Sequence, residues 1–137
     1  MIVAVCVDDR NGMLFHHRRQ SQDRLQRADL MEVCGAHRLW MHPDSARLFS
    51  DAEGRIAVSD RFLELAGEED YCFVESQSLE PWVERIQQLI LYRWNRVYPA
   101  DFHLTPLPEE MGFSLLCSTE FAGFSHPVIT KEIYERR

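Results

Sequence analysis

The sequence predicts a layered α/β fold: a mainly parallel central sheet, helices on both faces, and an antiparallel strand pair at the C-terminal end. Three observations predict it. Residues 2–7, Ile-Val-Ala-Val-Cys-Val, form a continuous β-branched run closed by the turn cluster Asp8-Asp9-Arg10-Asn11-Gly12. The run is too short for a buried helix and reads as a strand covered on both faces. Strand-like and helix-like segments then alternate along the chain. Two final strand-like runs, 113–118 and 128–134, are joined by a Gly-containing loop, as in an antiparallel pair. In layered folds ligands gather beyond the strand ends, where loops meet helices. The loop after the first strand is therefore the first place to look for chemistry.

Taken in order, Asn11-Gly12 is a turn signal, and residues 13–20, Met-Leu-Phe-His-His-Arg-Arg-Gln, show no clean period and read as a loop anchored by Leu14 and Phe15. A helix is expected over 22–34, capped by Ser21, with Asp23 in its first turn, an apolar line of Leu25, Ala28 and Met31, and Gly35 as its stop. Residues 37–41 give a second strand. His42-Pro43-Asp44 opens a brief helix, with Pro near its first position, carrying Ala46, Leu48 and Phe49 inward. A turn is expected over 51–54, a third strand over 55–59, a short helix over 60–66 stopped at Gly67, and a fourth strand over 71–74. Ser76 or Ser78 caps an expected helix reaching about Gln88, with Pro81 tolerated in its first turn. Residues 89–94 are apolar enough to be a central fifth strand, and the segments around 98–101 and 105–108 are irregular.

Composition sets the bounds. The chain has 137 residues, the size of a single domain over 1–137. With 45% hydrophobic and 27% charged residues it matches folded proteins rather than disordered ones. A formal charge of −7 and a pI near 5.3 argue against broad nucleic-acid or anionic-membrane binding, which needs a basic face. The four cysteines, Cys6, Cys34, Cys72 and Cys117, form no C-x-x-C pair. Cys6 and Cys72 lie in apolar runs and are expected to be buried free thiols, which suits a reducing cytosol. No segment has the flanks or length of a signal peptide or membrane span, so a soluble cytoplasmic protein is expected.

The residues also carry a family resemblance. The opening Ile2-Val3-Ala4-Val5, continuing through Val7-Asp8-Asp9-Arg10-Asn11-Gly12-Met13, is similar to the first strand and loop of dihydrofolate reductases. Asp101-Phe102-His103-Leu104 resembles that family's D-T-H-F segment, Gly112-Phe113-Ser114 the start of its next strand, and Glu132-Ile133-Tyr134-Glu135 its last strand, while Leu39-Trp40-Met41 falls at its second. The resemblance implies a dihydrofolate-reductase-like three-layer α/β/α sandwich, with one strand and one helix missing or reduced near residues 59–70. It implies Asp23 as the candidate catalytic carboxylate, which would hold a heterocycle amidine by a two-pronged, charge-assisted hydrogen bond. Tyr92 stands where the family has the threonine that supports that carboxylate. The cofactor half departs from the pattern: Glu75-Ser76 replaces the Gly-Gly whose amides approach a diphosphate, and His42-Pro43-Asp44-Ser45 replaces the segment whose arginine meets the 2′-phosphate. Ser59, Arg61 and Ser76 are the remaining candidates for contacts to NADPH. A weaker similarity, to small clostridial-type proteins that carry a ribonuclease Z label, finds no support in the residues, because the H-x-H-x-D-H zinc motif is absent.

Other constellations are judged on chemistry alone. His16, His17, Arg18, Arg19, Gln20, Ser21, Asp23 and Arg24 form the densest polar cluster. Arginine forks beside a helix N-terminus suit a carboxylate or phosphate, and the ligand-binding candidates are Arg18, Arg19, Ser21 and Arg24. The same cluster suits a protein partner. Consecutive histidines on a strand point to opposite faces, so His16-His17 makes a poor metal pair, and no metal is expected. The alternation of aromatic and basic residues over 92–96 reads as core and surface of a strand. No Ser/His/Asp order, nucleophile elbow or P-loop is present. The expected protein is a divergent reductase-fold chain that has lost the usual NADPH site, carries no resident cofactor, and binds a small anionic or heterocyclic ligand or a partner. The alternative is an active NADPH-dependent reductase.

Overall fold

The computed structural model describes residues 1–52 and 54–137. Strand β1 (Ile2–Val7) sits inside a seven-stranded sheet of order β5-β4-β6-β1-β7-β10-β9. It pairs in parallel with β6 (Tyr71–Phe73) on one side and β7 (Gln88–Arg93) on the other. The β-branched run is thus central, as its pattern demands. Its side chains alternate between two cores: Val3, Val5 and Val7 pack with Phe62, Leu63, Leu79 and Ile86, whereas Ala4 packs with Leu30, Phe49, Phe73 and Ile90 on the other face. Strands β4 (Leu39–Met41) and β5 (Ile56–Val58) extend the parallel half. The antiparallel pair β9 (Phe113–Phe121) and β10 (Ile129–Arg136) closes the other side, with β10 against β7.

Helix α1 (Arg24–Cys34) begins two residues later than the sequence suggests, and its N-cap is Asp23 rather than Ser21. Its buried residues are Gln26, Leu30 and Cys34, and Leu25 is exposed. The inward stripe follows i, i+4 spacing from a glutamine, so hydropathy alone points to the wrong line. Gly35, at φ +56°, ends the helix as expected. Helix α2 (Pro43–Ala46) has Pro at its first position and runs into a 3₁₀ segment, Arg47–Ala52. The turn expected over 51–54 includes Glu53, which lies outside the described residues. Helix α3 (Phe62–Leu65) is a single turn before Gly67.

Two segments differ from the sequence reading. The supposed loop over 13–20 is a hairpin: β2 (Gly12–Phe15) pairs with β3 (Arg18–Arg19), and β8 (Phe102–His103) completes a three-stranded second sheet. Its two-residue turn is His16-His17, at φ +51° and +63°. Positive φ at both positions marks the hairpin turn usually made by Asn-Gly, and histidine is among the residues that tolerate it. The helix expected over 76–88 is only a 3₁₀ segment, Glu80–Arg85. Gln88 already belongs to β7, so the expected helix also runs one residue into the next strand.

Candidate functional site

The opening strand delivers the chain into a tightly held turn. Asp8, fully buried, accepts hydrogen bonds from the backbone N–H groups of Arg10 (2.9 Å), Gly12 (2.8 Å) and Tyr98 (3.0 Å), and from Gln20 Nε2 (3.1 Å). Burial alone would raise its pKa, but these bonds prevail and hold the carboxyl below the usual range. The turn in turn fixes the β2–β3 hairpin. The hairpin carries His17, Arg18 and Arg19 to one wall of a cleft of about 470 Å³, whose other walls include His42, Asp44, Ser45, Arg47, Glu75 and Ser76.

At the cleft, Glu75 is gripped by an arginine fork. Arg19 Nε donates to Oε2 at 2.8 Å and Arg19 Nη2 to Oε1 at 2.9 Å, while Ser45 Oγ donates to Oε1 at 2.7 Å. Arg19 also donates to the Asp44 carbonyl at 3.1 Å. The Glu75 hydrogen bond outweighs burial and raises the Arg19 pKa further, so the guanidinium stays charged. Arg18 and Arg47 line the same cleft and have no ion-pair partner among the described residues. The cleft is therefore mildly basic in an acidic chain.

The remaining candidates fall elsewhere. Ser59 accepts from the Arg61 backbone N–H at 3.0 Å, and Arg61 is spent on a surface ion pair with Glu64. Neither lines the cleft, and of the three cofactor candidates only Ser76 does. Arg24 lies over the Phe124 ring at 4.3 Å. The cluster dense in sequence is thus divided, with Arg18 and Arg19 in the cleft and Ser21 and Arg24 at the start of α1.

Asp23 meets a different environment from the one the resemblance implies. It is 1% exposed, and each carboxylate oxygen faces three donors. Oδ1 accepts from the N–H groups of Leu25 (2.9 Å), Gln26 (3.4 Å) and Phe124 (2.9 Å). Oδ2 accepts from Ser125 N (2.9 Å), Ser125 Oγ (3.2 Å) and His126 Nδ1 (2.9 Å). Burial pushes its pKa up, yet the bonds from Phe124, His126, Ser125 and Leu25 outweigh burial and hold it far below the usual carboxylate range. A carboxylate has about four acceptor directions, so none is left for a heterocycle. Tyr92 does not support it either. Its phenol donates to Asp29 Oδ2 at 2.6 Å, where Lys131 Nζ also sits at 2.9 Å, and burial followed by this bond drives its pKa far upward.

His126 escaped the sequence reading, because 103 residues separate it from Asp23 and no local motif marks it. It is 3% exposed, stacks on Trp94 with 4.4 Å between ring centroids, and presents Nε2 to Ser21 Oγ at 3.0 Å and to the Tyr98 hydroxyl at 3.2 Å. The absence of a Ser/His/Asp order in the sequence is thus corrected by the fold, which brings Ser21, His126 and Asp23 into one line. Among the described residues no group of three or more His, Cys, Asp or Glu side chains is placed to hold a metal ion.

No family model matches the chain, and no curated protein matches it. Among solved structures it is similar to the dihydrofolate reductase from Enterococcus faecalis complexed with NADP(H) and RAB-propyl, with a TM-score of 0.65 and 9% sequence identity over 100% of this chain and 96% of that one. The alternating segments, the central opening strand and the antiparallel end thus compose a dihydrofolate-reductase-like α/β fold.

Proposed function

We propose that this chain is a divergent protein of the dihydrofolate reductase fold that binds a small anionic ligand in the cleft between the β2–β3 hairpin, α2 and the end of β6, and does not hold NADPH in the manner of that fold's reductases. The observation that carries this reading is the pair of guanidinium groups, Arg18 and Arg47, without an ion-pair partner among the described residues, on the walls of a cleft whose third arginine is fixed by Glu75. Guanidinium forks match carboxylate and phosphate oxygens, and side chains without a partner pay no exchange cost on binding.

The fit to a dinucleotide diphosphate is poor. Glu75 carries a carboxylate, tied to Arg19 and Ser45, at the place where a bare backbone would have to approach the phosphates. The segment that follows is a six-residue 3₁₀ helix without a side-chain cap, so no α-helix N-terminus faces that position. These residues support a ligand smaller than a dinucleotide. The second reading, an active NADPH-dependent reductase, is favoured by the position of the cleft beyond the ends of β4 and β6 and by the NADP(H) complex of the similar structure.

Calorimetric titration with inorganic phosphate, pyrophosphate, small dicarboxylates and NADPH separates the two. Saturable binding of a small anion, weakened at least about tenfold in the Arg18→Ala, Arg47→Ala double variant, is expected. Tight NADPH binding with loss of NADPH absorbance on addition of dihydrofolate would overturn the proposal.

A further inference from the structure

We propose that Ser21 is a nucleophile activated by His126, with Asp23 as the residue that positions His126, and that it accepts the acyl group of small carboxylic esters. The geometry is a continuous line. Ser21 Oγ is 3.0 Å from His126 Nε2, and His126 Nδ1 is 2.9 Å from Asp23 Oδ2. Because Asp23 is an ion enclosed by donors, the imidazole proton belongs on Nδ1, and the lone pair on Nε2 faces the serine hydroxyl. Trp94, stacked at an interplanar angle of 19°, holds the ring in that plane. The Tyr98 hydroxyl gives a proton arriving on Nε2 a second acceptor.

Such a line could be only a staple between α1 and the loop joining β9 to β10, but two further observations extend it. Ser21 is half-buried on the wall of a narrow crevice shared with Cys6, Met13, Gln20 and Trp94, whose remaining walls, Arg19 and Glu75, also line the larger cleft. In the same crevice wall Gln20 Oε1 is buried without a hydrogen-bond partner, while its Nε2 is fixed on Asp8 and the Pro99 carbonyl. An orphaned acceptor beside a hydroxyl nucleophile is a place for water or an alcohol O–H. The crevice volume of about 10 Å³ is room for about one water, so an ester reaches Ser21 with its bulk in the larger cleft that shares the Arg19 and Glu75 walls, which favours small esters.

The reaction balances with water as the sole co-reactant. Ser21 Oγ adds to the ester carbonyl carbon as its proton passes to His126 Nε2. The oxygen–carbon bond to the alcohol then breaks, and the alcohol leaves with that proton. Water adds to the acyl-serine, giving its own proton to Nε2, and the carboxylic acid departs as Ser21 is restored.

The test uses the full chain with a fluorophosphonate probe and with p-nitrophenyl acetate, read by peptide mass mapping and by nitrophenolate release. One adduct on Ser21 is expected, formed by the folded chain and not by the denatured one. Ser21→Ala should abolish the adduct and reduce ester turnover roughly a hundredfold, while the lost hydrogen bond to His126 lowers the melting temperature by only a few degrees. His126→Gln loosens the loop as well, so a solvent deuterium isotope effect on ester turnover by the unaltered chain reads the proton transfer to the base. No adduct on Ser21, an adduct formed equally by the denatured chain, or ester turnover without a solvent isotope effect would each overturn the proposal.

Discussion

At the scale of single residues, Asp23 is the most heavily bonded side chain among the described residues and the one the sequence marked for another task. Its six donors come from its own helix and from residues 124–126, so it ties the first helix to the last hairpin. Asp23→Asn replaces one acceptor oxygen with an amide that faces donors, and should cost at least about 2 kcal/mol in urea unfolding. The pH dependence follows from the direction of its shift. The folded pKa lies below the unfolded value of about 3.9, so the stabilisation is complete above about pH 5 and is lost as acid carries the solution below pH ~4 towards the folded pKa. Unfolding curves between pH ~6 and pH ~2 should show that loss in the native chain and much less of it in Asp23→Asn. Gly123 tests the same contact sterically. A Cβ there would lie 2.7 Å from Asp23 Oδ2 and 2.7 Å from the His126 carbonyl, so Gly123→Ala must push the loop off the carboxylate and lower the melting temperature. The cysteines offer a simpler check. All four are free, and burial pushes the Cys34 and Cys72 thiols up to about 12, whereas Cys117 is exposed on β9. Alkylation of the folded chain should modify Cys117 first, and Cys34 and Cys72 only after unfolding.

At the scale of elements, the parts that were legible in the sequence are those whose burial follows hydropathy. The runs at 2–7 and 89–94 announce central strands because both faces are covered, the second lying one residue earlier in the fold, at 88–93, and Gly35 announces a helix stop because few other residues accept its backbone angles. What was illegible has a common physical cause: tertiary contacts outweighing local pattern. The β2–β3 hairpin turns on His16-His17 rather than on Asn-Gly, and the segment after β6 forms a 3₁₀ turn where the local pattern suggests a helix. Of the candidate site, the acid at 75 and the arginines at 18 and 19 were readable, but their mutual pairing was not, since 56 residues separate Arg19 from Glu75. That pairing has a consequence for the cleft. Glu75→Gln removes the carboxylate that neutralises Arg19 and leaves a third guanidinium for the ligand. The variant should bind inorganic phosphate several-fold more tightly by calorimetry while losing about 1–2 kcal/mol of stability in denaturant. Weaker phosphate binding in Glu75→Gln would mean that Arg19 is needed in its present orientation, and that the cleft takes its ligand through the ion pair rather than in competition with it.

At the scale of the whole molecule, the two sheets differ in how deeply they are held. The seven-stranded sheet has a covered core on each face, and β1 is bonded along its length to parallel neighbours brought together from residues 71–73 and 88–93. The three-stranded sheet is built from strands of four, two and two residues, and its far member β3 is reached only through the strained His16-His17 turn. Opening β3 exposes little apolar surface, whereas opening β1 disrupts both cores. Local opening should therefore cost much less in the small sheet than global unfolding does. Native-state hydrogen exchange should find the β1 and β7 amides exchanging last, at the free energy of global unfolding, and the amides around β3 exchanging earlier by at least an order of magnitude in rate. Because His17, Arg18 and Arg19 enter the cleft from this hairpin, an anion bound there must stabilise the closed form by mass action. Added phosphate or pyrophosphate should then slow exchange around β3 while leaving β1 and β7 nearly unchanged at modest occupancy. Protection that rises uniformly across both sheets would mean that the ligand binds elsewhere, and that the hairpin is not the movable wall of the cleft.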